Sequence, residues 1–303
     1  MKAIVFDAPG GPEALRLAEL PDPRPADGQV RVRVKAAGVQ PYDYAVRQGW
    51  VPRGVEVSSP SLLGNEFSGV VDEVGPGATG FPVGTEVVGF AVLACYAEYV
   101  VVPTDQIVRK PETMSFLEGG GLSGCGQAAH TALEVLGVQK GETVLVHAAA
   151  GGVGTIAVQL AVDLGATVIG TASEANHDYL RSLGAVPVTY GDGLVERVRE
   201  VAPQGVDAAI DGAGEQALRQ SLELVEDRSR IGTLVEFGLV EELGVRPLVS
   251  QRSAARLAAL TELNARGGLA LHVRSTYPLA EAAKAHVEVE SGHGRGKVVL
   301  SID

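Results

Sequence analysis

The residues with the most definite chemistry are Ala148, Ala149, Ala150, Gly151, Gly152, Val153 and Gly154, set between a β-branched run ending at His147 and a helical run over 155–161. Glycines at such a place let the backbone approach a pyrophosphate, and the N-terminus of the following helix offers free N–H groups and positive dipole. The strict dinucleotide fingerprint has glycine where Ala149 stands, so the same residues also suit a tight strand-to-helix turn that binds nothing. A second apolar run ends at Ala172, about twenty residues past the loop, where an NAD site keeps an acidic side chain for the ribose hydroxyls. Without that carboxylate there is room for the extra phosphate of NADPH. Ser173, His177, Arg181 and Tyr190 follow as available donors, whereas Glu174 would favour ribose. The same side chains also suit exposed polar positions on a helix.

A phosphate loop needs a parallel sheet behind it. From about residue 115 short apolar runs alternate with longer helical stretches, and strands are predicted at 143–147, 167–170, 186–189, 206–210, 231–235 and 269–273. Six strands suit a doubly wound sheet. Before them, Val30, Val32 and Val34 alternate with Arg31, Arg33 and Lys35, the mark of a half-buried strand. Further runs at Val70-Val71, Val87-Val88 and Val100 to Val102, cut by Gly and Pro clusters, predict a compact barrel-like domain. Residues 278–303 read as an alanine-rich helix, a basic glycine turn and a strand.

Composition bounds the partners. A chain of 303 residues with 46% hydrophobic and 20% charged residues is long and apolar enough for two ordered domains. A formal charge of −12 opposes approach to a nucleic-acid backbone, so DNA and RNA are not expected partners. Two cysteines, Cys95 and Cys125, allow neither a disulfide framework nor a four-cysteine zinc lobe and suit a reducing cytoplasm. The apolar start stops at Asp7, too short for a signal peptide. Residues 143–162 carry no charge beyond His147, yet Gly151, Gly152 and Gly154 break them into strand, turn and helix, so no membrane span is expected.

Taken together, the loop 148–154, the segments 37–44, 63–71 and 96–100, and the closing 278–283 and 295–300 resemble quinone oxidoreductases of the medium-chain dehydrogenase/reductase superfamily. The likeness runs over nearly the full chain. It implies an α/β protein: a chaperonin-10-like β-barrel catalytic domain over 1–114 and 265–303, and a doubly wound Rossmann coenzyme-binding domain over 115–264. It also implies a homodimer whose Rossmann sheets extend each other edge to edge. For the cofactor it implies the glycine loop, His177 and Tyr190 at the places of a phosphate-binding lysine and tyrosine, and Phe237, Gly238 and Lys297.

Alcohol dehydrogenases of this superfamily hold zinc through cysteine, histidine and cysteine, at places that fall here on Gln40, Asn65 and Cys125. Two amides and one thiol are a poor zinc set, so no metal is expected. Gln40, Tyr42 and Asp43 would line the cleft facing the nicotinamide, with Trp50 as an apolar wall and the loop 49–61 shaping specificity. Relatives usually have asparagine at Gln40 and many have lysine at Ala45. Asp43 also suits a helix cap, and the tyrosines also suit packing. The expected activity is NADPH-dependent hydride transfer to a quinone or α,β-unsaturated carbonyl. An enoyl reductase in polyketide or acyl tailoring, or a low-turnover NADPH-binding redox sensor, fits the same residues.

Overall fold

The computed structural model describes residues 1–303 except Arg53, Glu56 and Ser58, so part of the expected specificity loop lies outside the described residues. The first strands are β1 (Lys2–Phe6), β2 (Arg16–Glu19), β3 (Gln29–Val39), β4 (Ser61–Leu62), β5 (Glu66–Val74), β6 (Glu86–Phe90), β7 (Tyr99–Pro103) and β8 (Ile107–Arg109). A short helix α1 (Pro41–Arg47) follows β3 directly. Val30, Val32 and Val34 are fully buried, while Arg31 pairs with Asp72 on the other face. Each such valine contributes roughly 1.5–3 kcal/mol by leaving water.

Helix α2 (Phe116–Val135) begins with a reciprocal capping box between Ser115 and Glu118. It lies hard against the barrel because its face is glycine: a Cβ on Gly120 would stand 2.8 Å from the Ala36 carbonyl oxygen. The parallel sheet follows, with β9 (Thr143–Val146), β10 (Thr167–Ala172), β11 (Ala185–Thr189), β12 (Ala208–Asp211), β13 (Ile231–Thr233) and β14 (Arg246–Pro247) in the order β11-β10-β9-β12-β13-β14. That order reverses direction between β9 and β12, which opens a crevice at their carboxyl ends. Between the strands run α3 (Gly152–Asp163), α4 (His177–Ser182), α5 (Leu194–Val201), α6 (Glu215–Ser221) and α7 (Val240–Leu243), with α8 (Ala254–Ala265) after β14.

The chain then returns to the barrel through β15 (Val273–Pro278), α9 (Ala282–Glu290) and β16 (Lys297–Ser301), with β16 antiparallel to β3. The architecture is thus a chaperonin-10-like barrel joined to a Rossmann sheet.

One predicted strand is corrected. Residues 269–272 form no strand; Leu269 and Leu271 are buried in the core beside α2 and α3, and β15 pairs with β16 in the barrel sheet. The sixth parallel strand is instead the two-residue β14, too short to leave a periodic signal. Its Pro247 removes a backbone donor from that edge. Among the described residues no helix is long and apolar enough to cross a membrane.

Candidate active site

At the carboxyl end of β9 the backbone turns sharply, and Ala148 takes a left-handed φ of 52°. Gly151 is the N-cap of α3 and makes no side-chain cap, leaving the first-turn N–H groups of the helix open to an anion. Gly154 has no spare room, since a Cβ would meet the Ala148 carbonyl oxygen at 2.3 Å and the Ala149 Cα at 2.6 Å. The Ala149 departure from the fingerprint also has a structural reason. Its methyl points at Gly170 on β10, where an added Cβ would come within 2.9 Å. Ala149 and Ala150 are buried; Gly151, Gly152 and Val153 remain partly accessible.

The rim beyond β10 carries the predicted phosphate donors. Ser173 follows Ala172 and accepts from the Asn176 amide at 3.1 Å; His177 lies 3.4 Å from the Thr189 hydroxyl; Tyr190 is exposed. Arg181 is exposed and paired with Asp178 at 2.6 Å. Sequence reading missed Arg295, which crosses from the barrel return to this rim, donates to the Asn176 side chain at 3.1 Å and lies 4.4 Å over the Tyr179 ring. Phe237 and Gly238 are exposed on the turn after β13, at the carboxyl-end rim of the sheet.

Across the crevice, β3 hands the chain to α1 through Gln40, and β5 begins at Glu66. Glu66 has no exposed surface, and three donors reach it: Lys297 Nζ at 2.8 Å, Gln40 Nε2 at 2.7 Å and the Gly124 N–H at 2.6 Å. Burial disfavours the Lys297 ammonium, but the Glu66 carboxylate beside it prevails and holds its pKa above the usual lysine value. The aliphatic stem of Lys297 lies against the phosphate loop, where a Cβ on Gly152 would meet its Cδ at 3.0 Å. Lys297 therefore links loop to barrel, with its charge on Glu66. A carboxylate in the apolar run 66–71 was the only sequence signal for this pair, and the chain separation of 231 residues hid its partner.

Asp43 is fully buried and enclosed, accepting from the Tyr96 hydroxyl at 2.9 Å, the Asn65 amide at 2.7 Å and the Gln40 N–H at 2.9 Å. Burial pushes its carboxyl up to about 6 against those three donors. The expected cleft-facing role is corrected for Asp43: it completes the capping box of α1 and orients Gln40 and Asn65. Tyr42 is half-buried and meets Trp50 edge-on at 5.1 Å, and burial raises its phenol above the ordinary tyrosine value. Trp50 is half exposed, as a wall of an open cleft would be.

These donors do not fit a zinc ion. The Gln40 and Asn65 amides are committed to Glu66 and Asp43, and burial pushes the Cys125 thiol up to about 12 while it donates to the Gly121 carbonyl. Two amides beside a single cysteine are too poor a donor set to hold zinc.

The family described as "Alcohol dehydrogenase GroES-like domain" matches residues 26–112, and "Zinc-binding dehydrogenase" matches residues 183–300. The chain is 34% identical to a 2-haloacrylate reductase from a Burkholderia species, with 98% of each chain covered. It superposes on a quinone oxidoreductase from Coxiella burnetii with a TM-score of 0.88 at 34% identity, covering 100% of this chain and 99% of the other. An Escherichia coli quinone oxidoreductase complexed with NADPH gives a TM-score of 0.84 at 27% identity, covering 99% of this chain and 100% of the other. The chain belongs to the quinone oxidoreductase family of the medium-chain dehydrogenase/reductase superfamily and is an oxidoreductase of that type.

Proposed function

We propose that the protein uses NADPH to reduce a quinone or a polarised carbon–carbon double bond without a metal. The observation that carries this reading is the crevice itself: an uncapped helix N-terminus behind a glycine loop faces a cleft in which two of the three places of a zinc set are amides committed to carboxylates. Bound NADPH would supply a hydride. The N–H groups of Gly152, Val153 and Gly154 would hold its pyrophosphate, and Phe237 and Gly238 would edge the nicotinamide side. Gln40 and Asn65, fixed by Glu66 and Asp43, would position the acceptor against the Tyr42–Trp50 pair. The proton would come from water through the open cleft. Quinones and 2-haloacrylates, named for two of the relatives, share an acceptor carbon that needs no Lewis acid to take a hydride.

NADPH is favoured over NADH because β10 ends at Ala172 with no carboxylate, while Ser173, Arg181 and Arg295 stand on that rim. Arg181→Ala is expected to lower kcat/KM for NADPH about tenfold relative to NADH, the scale of one charge-assisted hydrogen bond. An unchanged ratio would remove Arg181 from phosphate recognition.

The function is tested by following NADPH oxidation with a benzoquinone, an enone and an enoyl thioester, before and after exhaustive chelation. Turnover of the first two that survives chelation is expected. Activity confined to the thioester would favour an acyl enoyl reductase, and none at all would favour a nucleotide-binding sensor.

A further inference from the structure

Among the described residues, Arg252 is a cation at the cleft that the reading above does not use. Arg252 sits on the segment between β14 and α8, and the backbone on both sides of it is pinned by buried side chains of α2. The Gln251 N–H donates to Thr131 Oγ1 at 3.1 Å, and the Ser253 N–H donates to Gln127 Oε1 at 2.7 Å. From this fixed base the side chain spans from the Rossmann half to the barrel. Its Nη1 donates to the Asn65 and Ala91 carbonyls at 3.0 and 3.1 Å, and its guanidinium lies 5.2 Å over the Phe90 ring.

Among the described residues, the hydrogen bonds of Arg252 go to these two carbonyls alone, and no carboxylate forms an ion pair with it. Nε and Nη2 are left with donors to give. The carboxylates nearby are taken: Glu66 is neutralised by Lys297, and Asp43 is enclosed by Tyr96, Asn65 and Gln40. Arg252 holds the carbonyl of Asn65, whose amide bonds Asp43, so the guanidinium stands on the side of the cleft where α1 begins. A half-buried, rigidly presented guanidinium with no counter-ion among the described residues is a poor structural element and a good receptor for a planar anion.

We propose that Arg252 is a specificity-determining residue that binds a carboxylate conjugated to the reducible double bond, so that the preferred acceptors are α,β-unsaturated carboxylates. This rests on the hydride-transfer reading and names its substrate class. In the step, hydride bonds to the β-carbon and the alkene π pair moves into the carboxylate. A second negative charge then builds on its two oxygens, where Nε and Nη2 donate. The α-carbon takes a proton from water as the ene-diolate collapses. The alkene gains two electrons and the dinucleotide is oxidised by two. A neutral ester or ketone gains less from the guanidinium, because its oxygen starts uncharged.

The test compares an α,β-unsaturated carboxylic acid with its methyl ester in the wild type, Arg252→Gln and Arg252→Lys, reading kcat/KM for both with NADPH. The acid-to-ester ratio is expected to fall roughly 10- to 100-fold in Arg252→Gln, with part of it restored in Arg252→Lys, which keeps the charge and loses the fork. Binding of a short saturated carboxylate to the NADPH complex, measured by calorimetry, should weaken in parallel. A ratio unchanged in Arg252→Gln, or equal losses with both substrates, would overturn the assignment and leave Arg252 as a clasp between the halves. Wild-type reduction of a quinone but not of the acid would overturn it while sparing the hydride reading. Failure with every acceptor, quinone included, would sink the parent reading itself.

Discussion

Replacement of Gly154 by alanine is expected to weaken NADPH binding by about five- to 150-fold. The added Cβ would stand 2.3 Å from the Ala148 carbonyl oxygen and 2.6 Å from the Ala149 Cα, both backbone atoms that cannot swing aside. The turn must open, and with it the N–H groups proposed to hold the phosphate. Overpacking of this kind costs about 1–3 kcal/mol, which converts to that range of affinity when the strain falls on the bound geometry. Fluorescence titration with NADPH checks the binding, and a melting curve checks the fold. Wild-type affinity in a folded variant would show that the loop is only a turn.

The second large effect is on stability. Lys297→Met leaves the Glu66 carboxylate buried and without its cation, and breaking such a pair costs about 3–5 kcal/mol. Gln40 and the Gly124 N–H remain as donors but carry no charge. Combining Lys297→Met with Glu66→Gln should restore most of the loss, since a neutral, hydrogen-bonded pair has no uncompensated charge to bury. Denaturant unfolding of both single variants and the double variant gives the coupling. Additive losses would mean that the two residues act separately, and that the stem of Lys297 against Gly152 matters more than its charge.

What was legible in the chain follows from distance. The glycine loop and its flanking runs are contiguous, so residues 143–161 alone disclose strand, turn and helix, and Val30 to Lys35 disclose a barrel strand by alternation. Tyr42 and Trp50 are close in sequence and do meet. The polar centre was not legible, because Glu66 and Lys297 are joined only by the return of β16 to β3, and nothing local to either points to the other. Arg252 lies in a segment with no motif, and Arg295 is brought to the rim beyond β10 beside the parallel bridge between Gly151 and Gly296. The sequence allows Asp43 either to face the cleft beside its neighbours or to cap the helix. A helix turns successive side chains through about 100°, which sends Asp43 inward to Tyr96 while Tyr42 stays at the edge. The error at 269–273 has a similar origin, since a short apolar run reads alike whether it forms a strand or is simply buried against helices.

Direct hydride delivery from NADPH to an activated carbon is tested most closely by isotope transfer. NADPH carrying deuterium at the transferable C4 position is incubated with the protein and an α,β-unsaturated ketone in ordinary water, and the product is read by NMR. Deuterium on the β-carbon and a solvent hydrogen on the α-carbon are the predicted result, with or without chelator. A solvent hydrogen on the β-carbon, or oxidation of NADPH without any labelled product, would contradict the account.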